Sequence, residues 1–293
     1  MKFLITGSNG LLGQKIVQQL RNKQHEFIAT SQGENRNSNC PNERYFSLDI
    51  TDENAVHEFI QQLKPTHIIH TAALTNVDEC ELNPTKCQRI NLDGTRFLFE
   101  AAKSIGAHFE FLSTDFVFDG EKGNYSEEDK VNPLSVYAQS KVDGENTLIQ
   151  SDYKNWSIAR TIIVYGTAEN LSRSNLLVWA KSALPKGEPM KIIDDQFRAP
   201  TWADDLAWGC IRICALNKTG IFHLSGPSTQ SIYQIVEEIA NHYNWSMSQV
   251  EKISSSELNQ PAKRPPKTGF NLSKAKNELG YCPKSIKETL DLF

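Results

Sequence analysis

The chain has 293 residues, a formal net charge of −4, 39% apolar residues and 23% charged residues. The acidic balance argues against general nucleic-acid binding, which usually needs a basic face, and no segment reaches the roughly 20 apolar residues that span a bilayer. Because the apolar run at the start is too short for a signal peptide, we predict a cytoplasmic protein without a membrane segment.

The first half of the chain alternates between strand and helix patterns. Short apolar runs predict strands at 2–6, 25–30, 45–48, 67–70, 108–112 and 157–160, and amphipathic segments predict helices at 11–20, 52–63, 84–104 and 134–150. Such alternation is typical of a parallel sheet with helices on both faces. We therefore predict an α/β fold with a Rossmann-type doubly wound parallel sheet, whose ligand lies beyond the carboxyl ends of the strands.

After Gly166 the alternation weakens. Helices are predicted at 174–183, 204–216, 231–243 and 285–290, a strand at 221–224, and a loop rich in proline and basic residues at 260–268. We predict a dinucleotide-binding domain over residues 1–166 and a smaller C-terminal substrate-binding lobe over 167–293. The two are expected to be partly interleaved, with 158–164 and Ile192-Ile193 returning to the main sheet.

A glycine pattern, Gly7-x-x-Gly10-x-x-Gly13, follows the first predicted strand and opens the first helix. That is the context of a dinucleotide site, in which the glycines permit a tight turn, approach to a pyrophosphate and close helix packing. The helix N-terminus adds unpaired N–H groups and partial positive charge. The cofactor-binding candidates in this turn are Gly7, Asn9, Gly10, Leu11, Leu12 and Gly13.

The end of the second predicted strand bears on the choice of cofactor. Many NAD sites carry a carboxylate there that binds the ribose 2′-OH, but this chain has Ser31 and then Arg36 nearby. Hydroxyls and an arginine would accept a 2′-phosphate, so the sequence favours NADP(H) and leaves NAD(H) open; Arg36 as a solvated loop charge is the alternative. Further cofactor-binding candidates after later strands are Asp49, Ile50, Ala72 and Ala73.

Tyr137 and Lys141 form a YxxxK pattern more than a hundred residues after the glycines. Residues four apart share a helix face, so both side chains are predicted to enter one site. An ammonium beside a phenol favours the phenolate, and we expect it to lower the tyrosine pKa from about 10. Alone the pattern is weak, but paired with the glycine turn it indicates a proton donor beside a redox dinucleotide.

Several further motifs extend along the chain, at 70–78, 90–95, 113–120, 132–137, 199–206, 220–226 and 263–265. In these motifs the chain resembles the extended short-chain dehydrogenase/reductase superfamily, and within it the dTDP-4-dehydrorhamnose reductases. The likeness covers nearly the whole chain.

The resemblance implies reduction of the C4 keto group of a nucleotide-linked 4-keto-6-deoxy sugar by NAD(P)H. Tyr137 would protonate the alkoxide, and Lys141 would bind the nicotinamide ribose and lower the pKa of Tyr137. Thr114, at the end of a predicted strand, would hydrogen-bond the carbonyl oxygen. Asn91 matches the helix asparagine of the family, which implies a proton relay.

The same resemblance implies which residues would bind the nucleotide sugar. A nucleotide sugar carries a diphosphate, which arginine binds in bidentate fashion; Arg264 is the first candidate and Arg198 the second, with solvated surface charges as the alternative. Phe116 replaces a tyrosine that is frequent in the subfamily, which leaves the sugar undetermined. The remaining substrate-binding candidates are Thr75, Val77, Asp115 and Phe116.

Other functions remain open from the sequence. A dehydratase of the superfamily usually has a glutamate where this chain has Phe116, and an epimerase fits less well with Asp115. A non-catalytic subunit, resembling the regulatory β subunit of methionine adenosyltransferase, is a third alternative. No metal site is predicted, since the six cysteines lack metal-ligand spacing. The sequence does not decide the oligomeric state, for which a homodimer is one option.

Overall fold

The computed structural model describes residues 1–171 and 174–293. The strands are β1 Lys2–Thr6, β2 Glu26–Ser31, β3 Tyr45–Ser47, β4 His67–His70, β5 His108–Thr114, β6 Trp156–Thr161, β7 Val164–Tyr165, β8 Met190–Ile193, β9 Phe197–Arg198, β10 Thr201–Trp202, β11 Gly220–His223, β12 Gln230–Ser231 and β13 Val250–Ile253. The helices are α1 Leu11–Asn22, α2 Glu53–Leu63, α3 Val77–Leu82, α4 Pro84–Gln88, a π-helical segment Arg89–Asp93, α5 Gly94–Ile105, α6 Val136–Ile149, α7 Leu176–Ala183, α8 Ala203–Ala215, α9 Ile232–Tyr243, α10 Ser273–Leu279 and α11 Ile286–Thr289.

Seven strands form one parallel sheet in the order β3-β2-β1-β4-β5-β6-β11. The strand order reverses direction at β1, between β2 and β4, which makes a crevice outside the carboxyl ends of these strands. The predicted doubly wound α/β fold is confirmed.

Apolar side chains cover both faces of this sheet. In β1, Phe3 and Ile5 belong to one core cluster while Leu4 between them belongs to another, because successive side chains of a strand point to opposite faces. The first cluster includes buried residues of α1 and α8, and the second includes buried residues of α2 and α5. Buried on both sides, the sheet is a rigid platform for the residues at its edge.

A third core cluster packs α7 and α9 around Tyr165 and Trp202. The expectation that 158–164 and Ile192-Ile193 return to the main sheet is wrong beyond Thr161. Val164 pairs with β10, and Ile192 and Ile193 pair with β13 in a separate two-stranded sheet. The position next to β6 in the main sheet is taken by β11 instead.

The helix predicted over 84–104 is interrupted by the π-helical segment, and α3 was not predicted. At the interruption the Thr95 hydroxyl donates to the Asn91 carbonyl at 2.6 Å, and the Asn91 side chain bonds the backbone of Leu74 in both directions. Hydrophobic periodicity could not reveal the π-helical segment, because the contacts made there join Asn91 to a loop before the helix. In the part of the chain described, no helix has the length and apolarity to cross a membrane.

Candidate active site

A cleft of about 1080 Å³ opens beyond the carboxyl ends of β1, β2, β4 and β5. The residues predicted to bind the cofactor come from five separate segments of the chain, and all of them line the cleft. Thr114 and four of the residues predicted to contact the substrate also line it. The candidates that line the cleft are Gly7, Asn9, Gly10, Leu11, Leu12, Gly13, Ser31, Arg36, Asp49, Ile50, Ala72, Ala73, Thr75, Val77, Thr114, Asp115, Phe116, Tyr137 and Lys141.

The glycine turn lies close to its neighbours. Gly7 has φ of +71°, and a Cβ there would lie 2.7 Å from the Ala72 backbone nitrogen. A Cβ on Gly13 would lie 2.7 Å from Ser8 Cα, whereas one on Gly10 would meet only the Gly7 carbonyl oxygen, at 3.3 Å. Gly10 caps α1 without a side-chain hydrogen bond, and the first N–H groups of a helix, which have no partner inside the helix, can bind an anion at the cleft.

The loop after β2 is fastened to this turn by Asn9. Its side-chain oxygen accepts from the Arg36 backbone N–H at 2.9 Å, and its amide donates to the Glu34 carbonyl at 2.8 Å. Arg36 is exposed at the cleft and donates to the Asn170 carbonyl at 3.3 Å. Ser31 lies at the end of β2, so a hydroxyl and a guanidinium are held beside one end of the cleft.

Tyr137 and Lys141 stand on successive turns of α6 and both face the cleft. The Ser135 hydroxyl accepts from the Ala138 N–H at 3.3 Å, which fixes the start of this helix. Lys141 is buried, with its Nζ 4.0 Å from the centre of the Phe111 ring. Thr114, at the end of β5, lines the same cleft as Tyr137.

Burial sets the proton affinities of this pair. It lowers the pKa of Lys141 to about 7, although the nearby Glu145 carboxylate acts in the opposite direction. It also raises the pKa of Tyr137 above its ordinary value, with the nearby Thr114 hydroxyl acting in the opposite direction. The expectation that Lys141 lowers the pKa of Tyr137 is therefore wrong here, because desolvation of the phenol outweighs the other influences on it.

Asn91 lies behind the cleft wall and is 1% exposed. Its oxygen accepts from the Leu74 N–H at 2.7 Å, and its amide donates to the Leu74 carbonyl at 3.1 Å and to Ser140 Oγ at 3.0 Å. The side chain thus holds the loop after β4 against α6. The predicted proton relay through Asn91 stays a prediction.

The two arginines predicted to bind a diphosphate lie outside the cleft lining. Arg198 is buried and forms an ion pair with Asp115 at 3.8 Å. Arg264 donates to Asp78 Oδ2 at 2.7 Å and to the Ala262 carbonyl at 3.0 Å, next to the cleft residue Val77. Neither guanidinium is oriented into the cleft by these contacts.

Two basic residues that the sequence analysis missed, Lys86 and Arg89, line the cleft instead. Lys86 is paired with Glu79 at 2.7 Å, whereas Arg89 is exposed on the π-helical segment. They lie three residues apart in a stretch predicted as an ordinary amphipathic helix. The spacing places them on one face, but nothing in the sequence shows which face meets the cleft.

Comparison with known proteins gives one family for the whole chain. Residues 1–293 match the family described as RmlD substrate binding domain. The dTDP-4-dehydrorhamnose reductase of Aggregatibacter actinomycetemcomitans is 31% identical over 302 aligned positions, covering 99% of this chain and 97% of that protein. Methionine adenosyltransferase 2 subunit beta of Pongo abelii is 29% identical, covering 99% of this chain and 87% of that protein.

Two solved structures of dTDP-4-dehydrorhamnose reductases are similar to this chain along its whole length. A dTDP-4-dehydrorhamnose reductase of Clostridium acetobutylicum is 32% identical and superimposes with a TM-score of 0.87, covering 100% of this chain and 98% of the other. The dTDP-4-dehydrorhamnose reductase of Bacillus anthracis, solved in complex with NADP, is 26% identical with a TM-score of 0.86, covering 100% and 99%.

Proposed function

The chain belongs to the RmlD substrate binding domain family, and from this premise we propose that it reduces the 4-keto group of a nucleotide-linked 4-keto-6-deoxy sugar with NAD(P)H, as dTDP-4-dehydrorhamnose reductases do. The observation that carries the proposal is the convergence of Thr114, Tyr137 and Lys141 on the cleft that the glycine turn opens. An oxidoreductase of this type needs a proton donor beside a dinucleotide cradle, and the cleft holds both.

The cradle fits a dinucleotide on structural grounds. At Gly10 the backbone is open to the cleft, and the free N–H groups of α1 supply the partial positive charge that a pyrophosphate needs. When bound, NAD(P)H supplies the hydride. Lys141, buried beside the cleft, would bind the nicotinamide ribose.

Tyr137 acts as the acid in this scheme. Its raised pKa keeps the phenol protonated at neutral pH, which suits a group that must donate a proton to the alkoxide formed at C4. Thr114 lines the same cleft and would orient the substrate carbonyl toward Tyr137. Asn91 acts from behind the wall as a positioning residue.

NADP(H) is the preferred cofactor in this proposal, with NAD(H) as the alternative. Ser31 and Arg36 at the cleft can accept a 2′-phosphate without repulsion from a carboxylate on the end of β2. The relative from Bacillus anthracis was solved with NADP. Purified protein should therefore show a lower KM for NADPH than for NADH, and the opposite order would overturn the preference.

The substrate diphosphate would be bound from the rim of the cleft. Arg89 is the best placed cation, because it is exposed there, while Lys86 is partly neutralised by Glu79. Arg264 is held by Asp78, the residue that follows the cleft residue Val77, so it would have to leave that carboxylate to reach a phosphate. The sugar would lie against the other lining candidates, Thr75, Val77, Asp115 and Phe116.

A regulatory subunit is the second candidate, because methionine adenosyltransferase 2 subunit beta is similar along 99% of this chain. Phe116 argues against dehydration, since no carboxylate occupies that place. We also propose a cytoplasmic location, supported by six unpaired cysteines, while a homodimer stays a prediction.

The test mixes the purified protein with NADPH and a dTDP-4-keto-6-deoxyhexose and follows the loss of nicotinamide absorbance. Turnover that depends on both compounds supports the reductase. Tight binding to another enzyme without any turnover would favour the regulatory subunit.

A further inference from the structure

Arg198 connects the C-terminal half of the chain to the residues around Tyr137. It lies on β9 and is 2% exposed. The segment that it contacts, Thr114 to Phe116, forms the turn after β5 at the wall of the cleft. Burying the charge of an arginine costs free energy. The groups that compensate the charge of Arg198 therefore indicate its role.

The guanidinium of Arg198 is committed to the protein. Nη1 donates to the carbonyls of Phe197 and Pro266 at 2.8 and 3.3 Å, and Nη2 donates to the Pro265 carbonyl at 2.7 Å and to Gln196 Oε1 at 3.3 Å. Nε lies 3.8 Å from Asp115 Oδ2. The four N–H groups of Nη1 and Nη2 thus donate within the protein and the Nε side faces Asp115, which leaves Arg198 poorly placed to bind a diphosphate.

The guanidinium charge faces the Asp115 carboxylate, both of whose oxygens accept hydrogen bonds. Asp115 Oδ1 accepts from the Thr114 hydroxyl at 3.1 Å, and Oδ2 accepts from the Thr268 hydroxyl. The Phe116 ring lies over the guanidinium, 5.4 Å from Cζ, and meets the Tyr137 ring edge-on at 6.1 Å. Arg198 therefore contacts Asp115 and Phe116, and Phe116 in turn contacts Tyr137.

The negative charge of Asp115 is supported by this ion pair. Burial raises the pKa of Asp115, and Arg198 is the largest opposing influence; the other titratable or charged groups acting on this pair are Tyr137 and Arg264. Without the guanidinium, the buried carboxyl would take up a proton and become a donor. The hydrogen bond from the Thr114 hydroxyl to Asp115 Oδ1, and with it the position of Thr114, would then change.

We propose that Arg198 is a positioning residue that holds the turn of Thr114, Asp115 and Phe116 in the geometry that presents Tyr137 to the substrate, and that it is not a phosphate ligand. The catalytic consequence rests on the proposed reductase function, whereas the structural consequence does not. The inference replaces the expectation from sequence that Arg198 binds the diphosphate.

The experiment compares Arg198→Gln, which removes the charge, with Arg198→Lys, which keeps it, and with Arg96→Gln as a control at an exposed arginine. Arg198→Gln is expected to lower kcat roughly tenfold or more, because small displacements of reacting groups are costly. Its KM for the nucleotide sugar should stay within about twofold of the wild type. Arg198→Lys should recover a large part of kcat, and Arg96→Gln should match the wild type.

A second measurement does not need activity. The Phe116 N–H donates to Thr114 Oγ1 at 3.2 Å, so hydrogen exchange at this amide should accelerate in Arg198→Gln and return toward the wild-type rate in Arg198→Lys. If Arg198→Gln fails to fold, Thr268→Val removes the hydrogen bond to the Asp115 oxygen that Arg198 faces, and it should give the same pattern more weakly.

The inference is overturned by a rise in KM for the nucleotide sugar with kcat retained, which would make Arg198 a phosphate ligand. Unchanged kcat together with unchanged exchange at Phe116 would also overturn it, as would a loss of kcat that the lysine variant does not restore at all. If the wild type shows no turnover, the reductase proposal fails, and the exchange measurement alone decides whether Arg198 holds the turn.

Discussion

At the scale of single residues, the pair Tyr137 and Lys141 shows how burial changes the meaning of a motif. Spacing places both on one helix face, and the structure confirms that both line the cleft. Spacing also suggests an ammonium that acidifies a phenol, yet desolvation raises the pKa of Tyr137 and lowers that of Lys141 to about 7. A protonated phenol beside an amine that titrates near neutrality is the arrangement of a proton donor.

Tyr137→Phe removes the proton donor while keeping the ring that packs against Phe116. We expect kcat to fall by about 10²–10⁴, the usual contribution of general acid catalysis, with KM values and thermal stability close to the wild type. Steady-state kinetics with NADPH and the 4-keto sugar, together with a thermal melt, check this. A variant with wild-type kcat would show that another group donates the proton.

Arg89→Ala tests the cation that sequence analysis missed. Charged hydrogen bonds contribute about 1.5–3 kcal/mol, so we expect the KM of the ligand whose phosphate it binds to rise roughly tenfold or more. A rise for the nucleotide sugar assigns Arg89 to the diphosphate of the substrate, and a rise for NADPH assigns it to the cofactor. Arg96→Ala is the matched control, and equal KM values in both variants would remove Arg89 from the site.

The residues that sequence could place are those whose chemistry is tied to a local pattern. Gly7, Gly13 and Tyr137 each belong to a motif with fixed spacing, and all of them line the cleft. Arg198 and Arg89 differ because their roles depend on which way a side chain points. One turns inward to Asp115 and the other outward to the cleft, and no spacing rule distinguishes the two.

At the scale of elements, the turn between β1 and α1 depends on glycines for two different reasons. Gly13 packs against the turn itself, and a Cβ there would lie 2.7 Å from Ser8 Cα. Gly10 faces the cleft, and a methyl group added there would meet one atom of the described chain beyond its adjacent residues within 4 Å, the Gly7 carbonyl oxygen. One glycine is required for folding and the other for access to the cofactor.

Substituting these two glycines separates the requirements. Gly10→Ala should keep the melting temperature within a few degrees but raise the KM for NADPH about tenfold or more, because the methyl group occupies the approach to the pyrophosphate. Gly13→Ala should lower the melting temperature by about 5 °C or more, since overpacking costs roughly 1–3 kcal/mol. Equal effects of both substitutions on melting and on KM would contradict the division.

The helix predicted over residues 84–104 shows a detail that hydrophobic periodicity cannot predict. Its existence followed from the pattern, but the π-helical segment Arg89–Asp93 did not. Within the segment, Asn91 bonds Leu74 and Ser140, residues that come from a loop and from another helix. Only the folded arrangement brings these partners together.

At the scale of the whole molecule, the alternation of strands and helices was sufficient to predict the fold class. It was not sufficient for the order of late strands, because β11 and β8 have similar short apolar sequences and only β11 joins the main sheet. The pairing of β11 with β6 joins residues of the predicted C-terminal lobe to the first domain. The division at residue 166 itself stays a prediction.

Glu110 on β5 is an acidic side chain buried between the sheet and α8. It is 0% exposed, and one of its oxygens accepts from the Cys214 thiol at 3.1 Å while the other has no hydrogen-bond partner among the described residues. Burial raises its pKa from 4.5 to about 8. The neighbouring His108 has both ring nitrogens bonded, to Asn155 and Ser157, and its pKa is lowered to about 4.

Glu110→Gln should change how stability depends on pH. The folded protein keeps the proton of Glu110 up to about pH 8, whereas the unfolded chain loses it above about pH 4.5. The contribution of the neutral Glu110 to the free energy of unfolding is therefore complete below pH 4.5 and is lost as the pH rises towards about 8. Between pH 5 and 8 we expect the melting temperature of the wild type to fall by about 5 °C or more relative to Glu110→Gln. Parallel melting curves for the two proteins would contradict a neutral buried carboxyl.

The central claim is that a hydride moves from a nicotinamide held by the glycine turn to C4 of a sugar held beside Tyr137. The most direct measurement uses NADPH that carries deuterium on the transferred position of its nicotinamide ring, with a dTDP-4-keto-6-deoxyhexose and catalytic amounts of the protein. We predict one deuterium per product molecule, located at C4 by NMR. Product without deuterium at C4, or no product under conditions in which both compounds bind, would contradict the account.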